Sequence, residues 1–498
     1  MFISGLLHIF TVPNLLCLFL GCIVGLVIGL LPGLGPMFGI ALFLPLTFSM
    51  SIDTSLILLT SIYAASAYSD GITSILLGIP VGPAGVAIAF DGFPLTTQGK
   101  AGLALGALAG AAIVGDMIGV TALVTLSPVL SAFAMKIGPA EYFMLTMFGL
   151  SMVSMMGKGA AQAIKGLLLA CFGLMVSFIG RDVITGEARY TFGIRYLENG
   201  VPFIAACIGL FALSRVFILA EEGGSIAGER PMVTKPWKGI FMAFKYWYVT
   251  IRSALVGVFL SMLPGIGITS AALLSYFGEQ RLSKDPDSYG KGNVRGVIAA
   301  QAATNATTGG ELIPVLSLGI PSGAPSAIFM AALTLHGLRP GLDFWSSAGD
   351  KAYTIFGGMF LAAIIFFVIG TTCTPIFSKV TKIPNALLVP TITVLCFVGT
   401  FALNGQVGDM VVCFIFGIFG YALHKFKWPI PSIVLGLILG SLAESNFQRA
   451  LRISDGWYGV FLSSPFCIVI FLIIVTMLVL TYIVTPLQDA RKLRKKSA

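Results

Sequence analysis

Two stretches of this chain concentrate small polar side chains inside sequence that is otherwise apolar. The first holds Ser66, Ser69, Asp70, Thr73 and Ser74; the second holds Gln301, Thr304, Asn305, Thr307, Thr308, Glu311, Ser317, Ser322 and Ser326. Hydroxyls, an amide and unwound backbone carbonyls are hard oxygen ligands, suited to Na⁺ and to hydrogen-bonding a carboxylate. Ser66, Asp70, Thr304, Asn305, Thr307, Thr308 and Glu311 are therefore candidate cation-coupling residues. Ser69, Thr73, Ser74 and Ser322 are candidate substrate contacts, with Gly33, Gly35, Gly82, Gly265, Gly267 and Gly323 at the adjoining breaks. The same residue types also serve tight helix packing in membranes, so a structural reading stands beside the functional one for each. Asn305 leans toward function, because it sits between Thr304 and Thr307 beside a Gly309-Gly310 break. Asp70 and Glu311 either lie at helix ends near water or are buried, and a buried acid could couple transport to protons.

The elements that must position these residues carry helix breakers. Leu31-Pro32-Gly33-Leu34-Gly35 is followed by Leu77-Gly78-Ile79-Pro80, and Leu263-Pro264-Gly265-Ile266-Gly267 by Leu318-Gly319-Ile320-Pro321. Pro removes a backbone donor and Gly permits unwound geometry, so each site reads as a broken helix. In a bilayer, freed backbone is tolerated only where protein or a polar cavity surrounds it. Matched breaks in two halves of a membrane chain point to a substrate site between them, with half-helix N-termini aimed at an anion. In this register Gly82 matches Gly323 and Asp70 matches Glu311, while the polar stretch from Arg281 to Lys291 absorbs the longer spacing as a loop.

Composition fixes the class. Of 498 residues, 57% are hydrophobic and only 10% charged, with mean hydropathy +0.96. A soluble domain carries about 25% charge. The expectation is an all-α polytopic membrane protein of roughly 12 transmembrane segments, at about 20 residues per span. Two structural repeats with broken helices, inverted by an odd count of spans between equivalent points, complete the predicted fold. The Gly, Pro and charge-rich run from Ala220 to Gly239 marks a boundary. The chain thus divides into residues 1–220, a polar linker at 221–244, a second half at 245–485 and a basic tail at 486–498.

The net charge of +9 does not indicate nucleic-acid binding. No Lys or Arg precedes Lys100, and the densest basic run is Arg491, Lys492, Arg494, Lys495 and Lys496. After a last apolar helix, such a tail predicts a cytoplasmic C-terminus. The first apolar run lacks a basic n-region and reads as a retained membrane helix. The eight cysteines have no CxxC spacing and no His partners, so neither disulfides nor a metal site are expected. No GxxxxGK[ST] or HExxH occurs, and Gly319-Ile-Pro-Ser-Gly323 lacks the spacing of a serine-nucleophile motif. The chain is not expected to be an enzyme and needs no cofactor. Asp91 and Lys100, which flank Gly92-Phe93-Pro94, read as a structural loop at the membrane edge. His336 and Arg339 read as interfacial, with Arg339 also a candidate substrate-facing cation.

Two blocks bear a family resemblance. Ile75-Leu-Leu-Gly-Ile-Pro80 with Asp91-Gly-Phe-Pro-Leu-Thr-Thr-Gln-Gly-Lys-Ala101 resembles the first signature of the TctA family, the large membrane subunit of tripartite tricarboxylate transporters. Gln301-Ala-Ala-Thr-Asn-Ala306, Gly309-Gly310, Ile313-Pro-Val-Leu-Ser-Leu-Gly-Ile-Pro321 and His336-Gly-Leu-Arg-Pro-Gly341 resemble the second. The chain departs from that pattern at Gln301, where an acid usually stands, and at Thr304, where Asn does. Ser69-Asp70-Gly71 and Gly78-Ile79-Pro80 replace the usual Gly-Gly-Ser and Asn-Ile-Pro.

The resemblance implies a multi-pass secondary carrier in a bacterial inner membrane, importing carboxylates of the citrate class by symport with Na⁺ or H⁺. It also implies a periplasmic solute-binding protein and a small membrane subunit as partners; a homodimer stays open. The rival expectations are a TRAP-type or stand-alone carboxylate carrier, and a non-transporting membrane scaffold or receptor whose breaks serve packing alone.

Overall fold

A computed structural model describes residues 7–31, 35–78, 85–134, 136–152, 160–182, 185–222, 236–263, 267–373, 385–479 and 482. The first half begins with α1 (Val12–Leu30), α2 (Pro36–Phe43) and a 3₁₀ turn at Leu44–Ser49. It continues with α3 (Ile52–Leu77), α4 (Gly85–Thr97) and α5 (Ala101–Ala134). Next come α6 (Pro139–Met152), α7 (Ala160–Ser177) and a two-residue hairpin pairing Gly180 with Arg189. Helices α8 (Phe203–Cys207) and α9 (Ser214–Glu222) flank a π-helical segment at Ile208–Leu213. The second half opens with α10 (Trp237–Lys245), α11 (Trp247–Ser261) and α12 (Gly267–Leu282). It continues with α13 (Val294–Leu318), α14 (Ala324–Leu335) and α15 (Leu342–Thr372). The last four are α16 (Asn385–Asn404), α17 (Val407–Lys425), α18 (Pro431–Ile453) and α19 (Pro465–Val479).

Among the described residues, five stretches are long and apolar enough to cross a membrane: Val12–Leu30, Ala101–Phe133, Phe203–Glu221, Phe344–Thr372 and Val407–Lys425, and shorter apolar helices accompany them. The protein is thus an all-α, multi-pass membrane protein. Helices α3 and α13, 26 and 25 residues long, are not among the five. They are the polar centre: every residue from Thr54 to Leu76 and from Gly296 to Ser317 is buried. The apolar helices form a jacket around them, and lipid-facing Leu, Val, Ile and Phe on α1, α5, α11 and α19 stay exposed. This is the order of burial a bilayer imposes, since polar side chains are stable there only inside the bundle.

The two central helices begin and end alike. Ser51 accepts the Thr54 N–H at the head of α3 at 3.3 Å, and Asn293 accepts the Arg295 N–H at the head of α13 at 2.9 Å. Gly78 and Gly319 close them in the left-handed region, at φ of 66° and 67°. Glycine is the residue that takes this C-terminal cap without a Cβ clash.

Close approach sets the packing. A Cβ on Gly115 would sit 2.4 Å from the Ala302 carbonyl oxygen, and one on Gly119 2.6 Å from that of Ala306. These contacts advance in step, so α5 runs parallel to α13. By contrast, Tyr63 meets Glu311 while Gly71 lies against Gln301, so α3 runs antiparallel to α13. Gly309 and Gly310, expected to break the helix, lie inside unbroken α13. Their missing side chains let Gly119 of α5 approach one side and Val258 and Ser261 of α11 the other.

Asp91 also departs from expectation. It lies inside α4, fully buried, rather than in an edge loop. Its carboxylate accepts the N–H groups of Gly292 and Asn293, both at 2.8 Å, and the Tyr276 hydroxyl at 2.8 Å. A partner two hundred residues away outweighs the local Gly-Phe-Pro turn signal. Beside it, Glu279 is buried against Arg252, Arg295 and the Tyr289 hydroxyl, which ties α11, α12 and α13 together at this end.

Replacing Gly119 by Val should overpack the α5–α13 contact, at a cost of about 1–3 kcal/mol. The thermal midpoint of the purified protein in detergent should fall. An unchanged midpoint would show that the close approach does not exist.

Candidate functional site

The polar residues converge along one seam between α3, α5 and α13. Gln301, Asn305 and Thr308 recur at four- and three-residue intervals, which places them on one face of α13. Gln301 donates Nε2–H to Asn305 Oδ1 at 2.6 Å. Thr308 has one hydroxyl proton and two acceptors in reach, its own Asn305 carbonyl at 2.7 Å and Asp116 Oδ1 at 2.6 Å. Asp116, on α5, was not foreseen among the site residues. It is fully buried and belongs to no ion pair among the described residues. A lone acid between Gly115 and Gly119 in the middle of a 34-residue apolar helix is the signal that could have found it.

One turn beyond, Glu311 Oε2 accepts the Tyr63 hydroxyl at 2.8 Å. The same carboxylate faces the backbone N–H and the hydroxyl of Ser326 in the first turn of α14. A Cβ on Gly323 would lie 2.8 Å from Glu311 Oε1, so the glycine N-cap admits the carboxylate. Glu311 lies seven residues inside the C-terminal end of α13, about 10 Å along a helix axis. The chain after Gly319 therefore turns back along α13, starts α14 at depth, and returns to Pro340, whose carbonyl meets Gly319. Helix α14 is re-entrant, with its positive end inside the bundle. The acid at that end is the protein's own Glu311.

The other foreseen residues have mixed placements. Gly33, Gly82 and Gly265 lie outside the described residues, as do Pro32, Pro80 and Pro264. Gly35 caps α2 in open space, and Gly267 is the first residue of α12. Ser69 donates to the Gly25 and Ser66 carbonyls, both at 3.3 Å, and Thr73 to the Leu30 carbonyl at 3.0 Å; both hydroxyls hold α1 against α3. Ser74 donates to the Asp70 carbonyl at 3.0 Å. Thr304 and Thr307 donate to the Ala300 and Thr304 carbonyls of their own helix, at 2.9 and 2.6 Å. Ser322 reaches the Glu311 carbonyl at 3.4 Å. Ser66 and Asp70 are buried one turn apart on α3. His336 hydrogen-bonds Thr47 Oγ1 at 2.9 Å and Arg339 is exposed.

A cavity of about 470 Å³ opens beside the re-entrant hairpin, lined by Gly319, Thr334 and Pro340 together with Phe203, Asn404 and Ser441. It adjoins a second depression of about 400 Å³ through Phe203, Leu437 and Ser441, where Arg181 and Asn199 stand. Together they lead from a polar surface to the glycine cap of α13.

Tyr63→Phe should leave a Glu311 oxygen short of a donor, at about 1–3 kcal/mol for a buried group. Its thermal midpoint should drop without loss of helical circular dichroism; a wild-type midpoint would show that the bond adds nothing.

Residues 15–435 match the tripartite tricarboxylate transporter TctA family. An uncharacterized 52.8 kDa protein from the TAR-I ttuC' 3' region of Agrobacterium vitis is 31% identical over 427 residues, covering 86% of this chain and 84% of that one. An uncharacterized protein from the TAR-II ttuC' 3' region of the same organism is 32% identical over 209 residues, covering 42% of this chain and 86% of that one. No solved structure matches. With the re-entrant helix and the buried polar seam, these matches establish that the chain belongs to the tripartite tricarboxylate transporter TctA family, as a membrane component of a transporter.

Proposed function

We propose that this chain is the large permease subunit of a binding-protein-dependent secondary carrier, importing small carboxylates of the citrate class by symport with Na⁺ or H⁺. The observation that carries the reading is the antiparallel pair α3 and α13. Each ends in a left-handed glycine, and α13 is followed by a helix whose N-terminus sits at a buried acid. The order α1 to α5 recurs as α11 to α15, with the same relative directions, which supports two inverted repeats within about twelve spanning or half-spanning segments. Under this reading Asp70 is the counterpart of Glu311 in the first half.

Carboxylate substrate is held between the repeats, between the breaks at 32–35 and 264–267 and those at 78–83 and 319–325, and reaches them through the cavity at Gly319. Ser69, Thr73, Ser74, Ser322 and the break glycines contact it when the bundles separate. Ser66, Asp70, Thr304, Asn305, Thr307, Thr308 and Glu311 serve the coupling cation. Rocking or elevator-like motion of one bundle then alternates access. A periplasmic solute-binding protein delivers substrate, and a small membrane subunit completes a complex in the bacterial inner membrane with the C-terminus cytoplasmic.

The test is labelled citrate uptake into proteoliposomes holding this chain and its small subunit, with binding protein present or omitted and with or without a sodium gradient. Uptake that needs both is expected. Uptake indifferent to the binding protein would overturn the tripartite reading. Asn305→Ala should lower cation-dependent uptake about tenfold, some 1.4 kcal/mol, with normal expression. Wild-type cation dependence in that variant would remove Asn305 from the site.

A further inference from the structure

Four buried side-chain atoms on the facing helices of the seam have no hydrogen-bond partner among the described residues: Asp116 Oδ2, Asn305 Nδ2, Gln301 Oε1 and Ser66 Oγ. Their residues are all fully buried. Unpartnered polar atoms are uncommon in protein interiors, and a carboxylate oxygen is the most costly to strand. Asn305 lies against the Asp116 carboxylate, yet its Nδ2 does not complete a hydrogen bond to Oδ2.

From this we infer that Asp116 is the anionic centre of a Na⁺ site completed by Thr308 and by the Asn305 amide oxygen, with Gln301 setting the orientation of that amide. The inference rests on the cation-symport reading and adds to it the fixed charge at the site. The oxygen and nitrogen of an amide occupy nearly the same positions, and the surrounding hydrogen bonds decide which is which. Turning both amides over keeps the bond between Gln301 and Asn305, now from Asn305 Nδ2 to Gln301 Oε1. It also turns Asn305 Oδ1 toward Asp116 Oδ2, where two oxygens repel unless a cation or a carboxyl proton lies between them. Thr308 fits the same state: its proton goes to the Asn305 carbonyl, which frees its lone pairs for the ion. Carboxylate, amide and hydroxyl oxygens are the hard ligands Na⁺ prefers.

The alternative is an ordinary hydrogen bond from Asn305 to Asp116, which would need no ion. It leaves a buried carboxylate with no opposite charge, a costly arrangement inside a bilayer.

The experiment is equilibrium binding of radiosodium to the full-length chain in detergent, with choline chloride holding ionic strength constant. Wild type should bind saturably. Asp116→Asn should raise the apparent Kd about tenfold or more, a loss of 1.4 kcal/mol or greater. Thr308→Val, which keeps the carboxylate and removes one hydroxyl, should weaken binding as well and serves if Asp116→Asn does not fold. Asp53→Asn, which removes an acid paired with Lys351 at 2.9 Å, should bind as wild type. Absence of saturable sodium binding in wild type, or wild-type binding in both seam variants, would overturn the site. Citrate uptake measured alongside separates the two claims. Uptake without sodium binding overturns the site and leaves the transport reading. Sodium binding lost in the seam variants, with no carboxylate uptake in wild type, upholds the site and overturns the transport reading.

Discussion

The structure turns on one constraint: two acids, Asp116 and Glu311, lie inside a membrane bundle and, among the described residues, no basic residue pairs with either. Water cannot solvate these acids at that depth, so the surrounding helices must supply their hydrogen bonds. Glu311 is held by the Tyr63 hydroxyl and the positive end of α14. Asp116 has the Thr308 hydroxyl on one oxygen, and its other oxygen, with Asn305 nearby, makes no hydrogen bond among the described residues. Tyr63, hydrogen-bonded to Glu311, also lies within electrostatic reach of Asp116.

Backbone proximity makes this arrangement attainable. Glycines on α5, α11 and α13 let main chains come nearly into contact, and the polar side chains between them are then too crowded for solvent. Ser69 and Thr73 bind α1 to α3 in the same fashion. The seam is rigid where helices touch. The hairpin at Gly319 is where chain direction reverses, and a cavity opens beside it. A carrier needs both: a fixed cluster that holds an ion, and an adjacent element whose backbone can change course.

Much of this was legible in the sequence. The polar stretches that form α3 and α13, and the glycines at which both helices end, came from residue spacing, because Gly and clustered polar residues are rare enough in apolar sequence to stand out. Other parts were not legible. Asp116 could be noticed as a lone acid in apolar sequence, but its partner Thr308 shows only when α13 is laid beside α5. Asp91 looked like a loop residue because its partners, Gly292, Asn293 and Tyr276, are remote. Gly309 and Gly310 looked like a break, although glycine inside a membrane helix more often marks a close neighbour. The hydroxyls of Thr304 and Thr307 are spent on their own helix; periodicity alone could have suggested this for Thr307, which lies off the stripe of Gln301, Asn305 and Thr308, but not for Thr304, which shares their face.

The most direct measurement is an electron cryomicroscopy map of the chain with its small subunit, prepared in sodium and citrate and again in choline. The account predicts density between Asp116 and Asn305 only in sodium, and carboxylate density beside the α14 hairpin. Asp116 and Asn305 hydrogen-bonded directly to each other in both maps, with ligand density remote from the α3–α5–α13 seam, would contradict it.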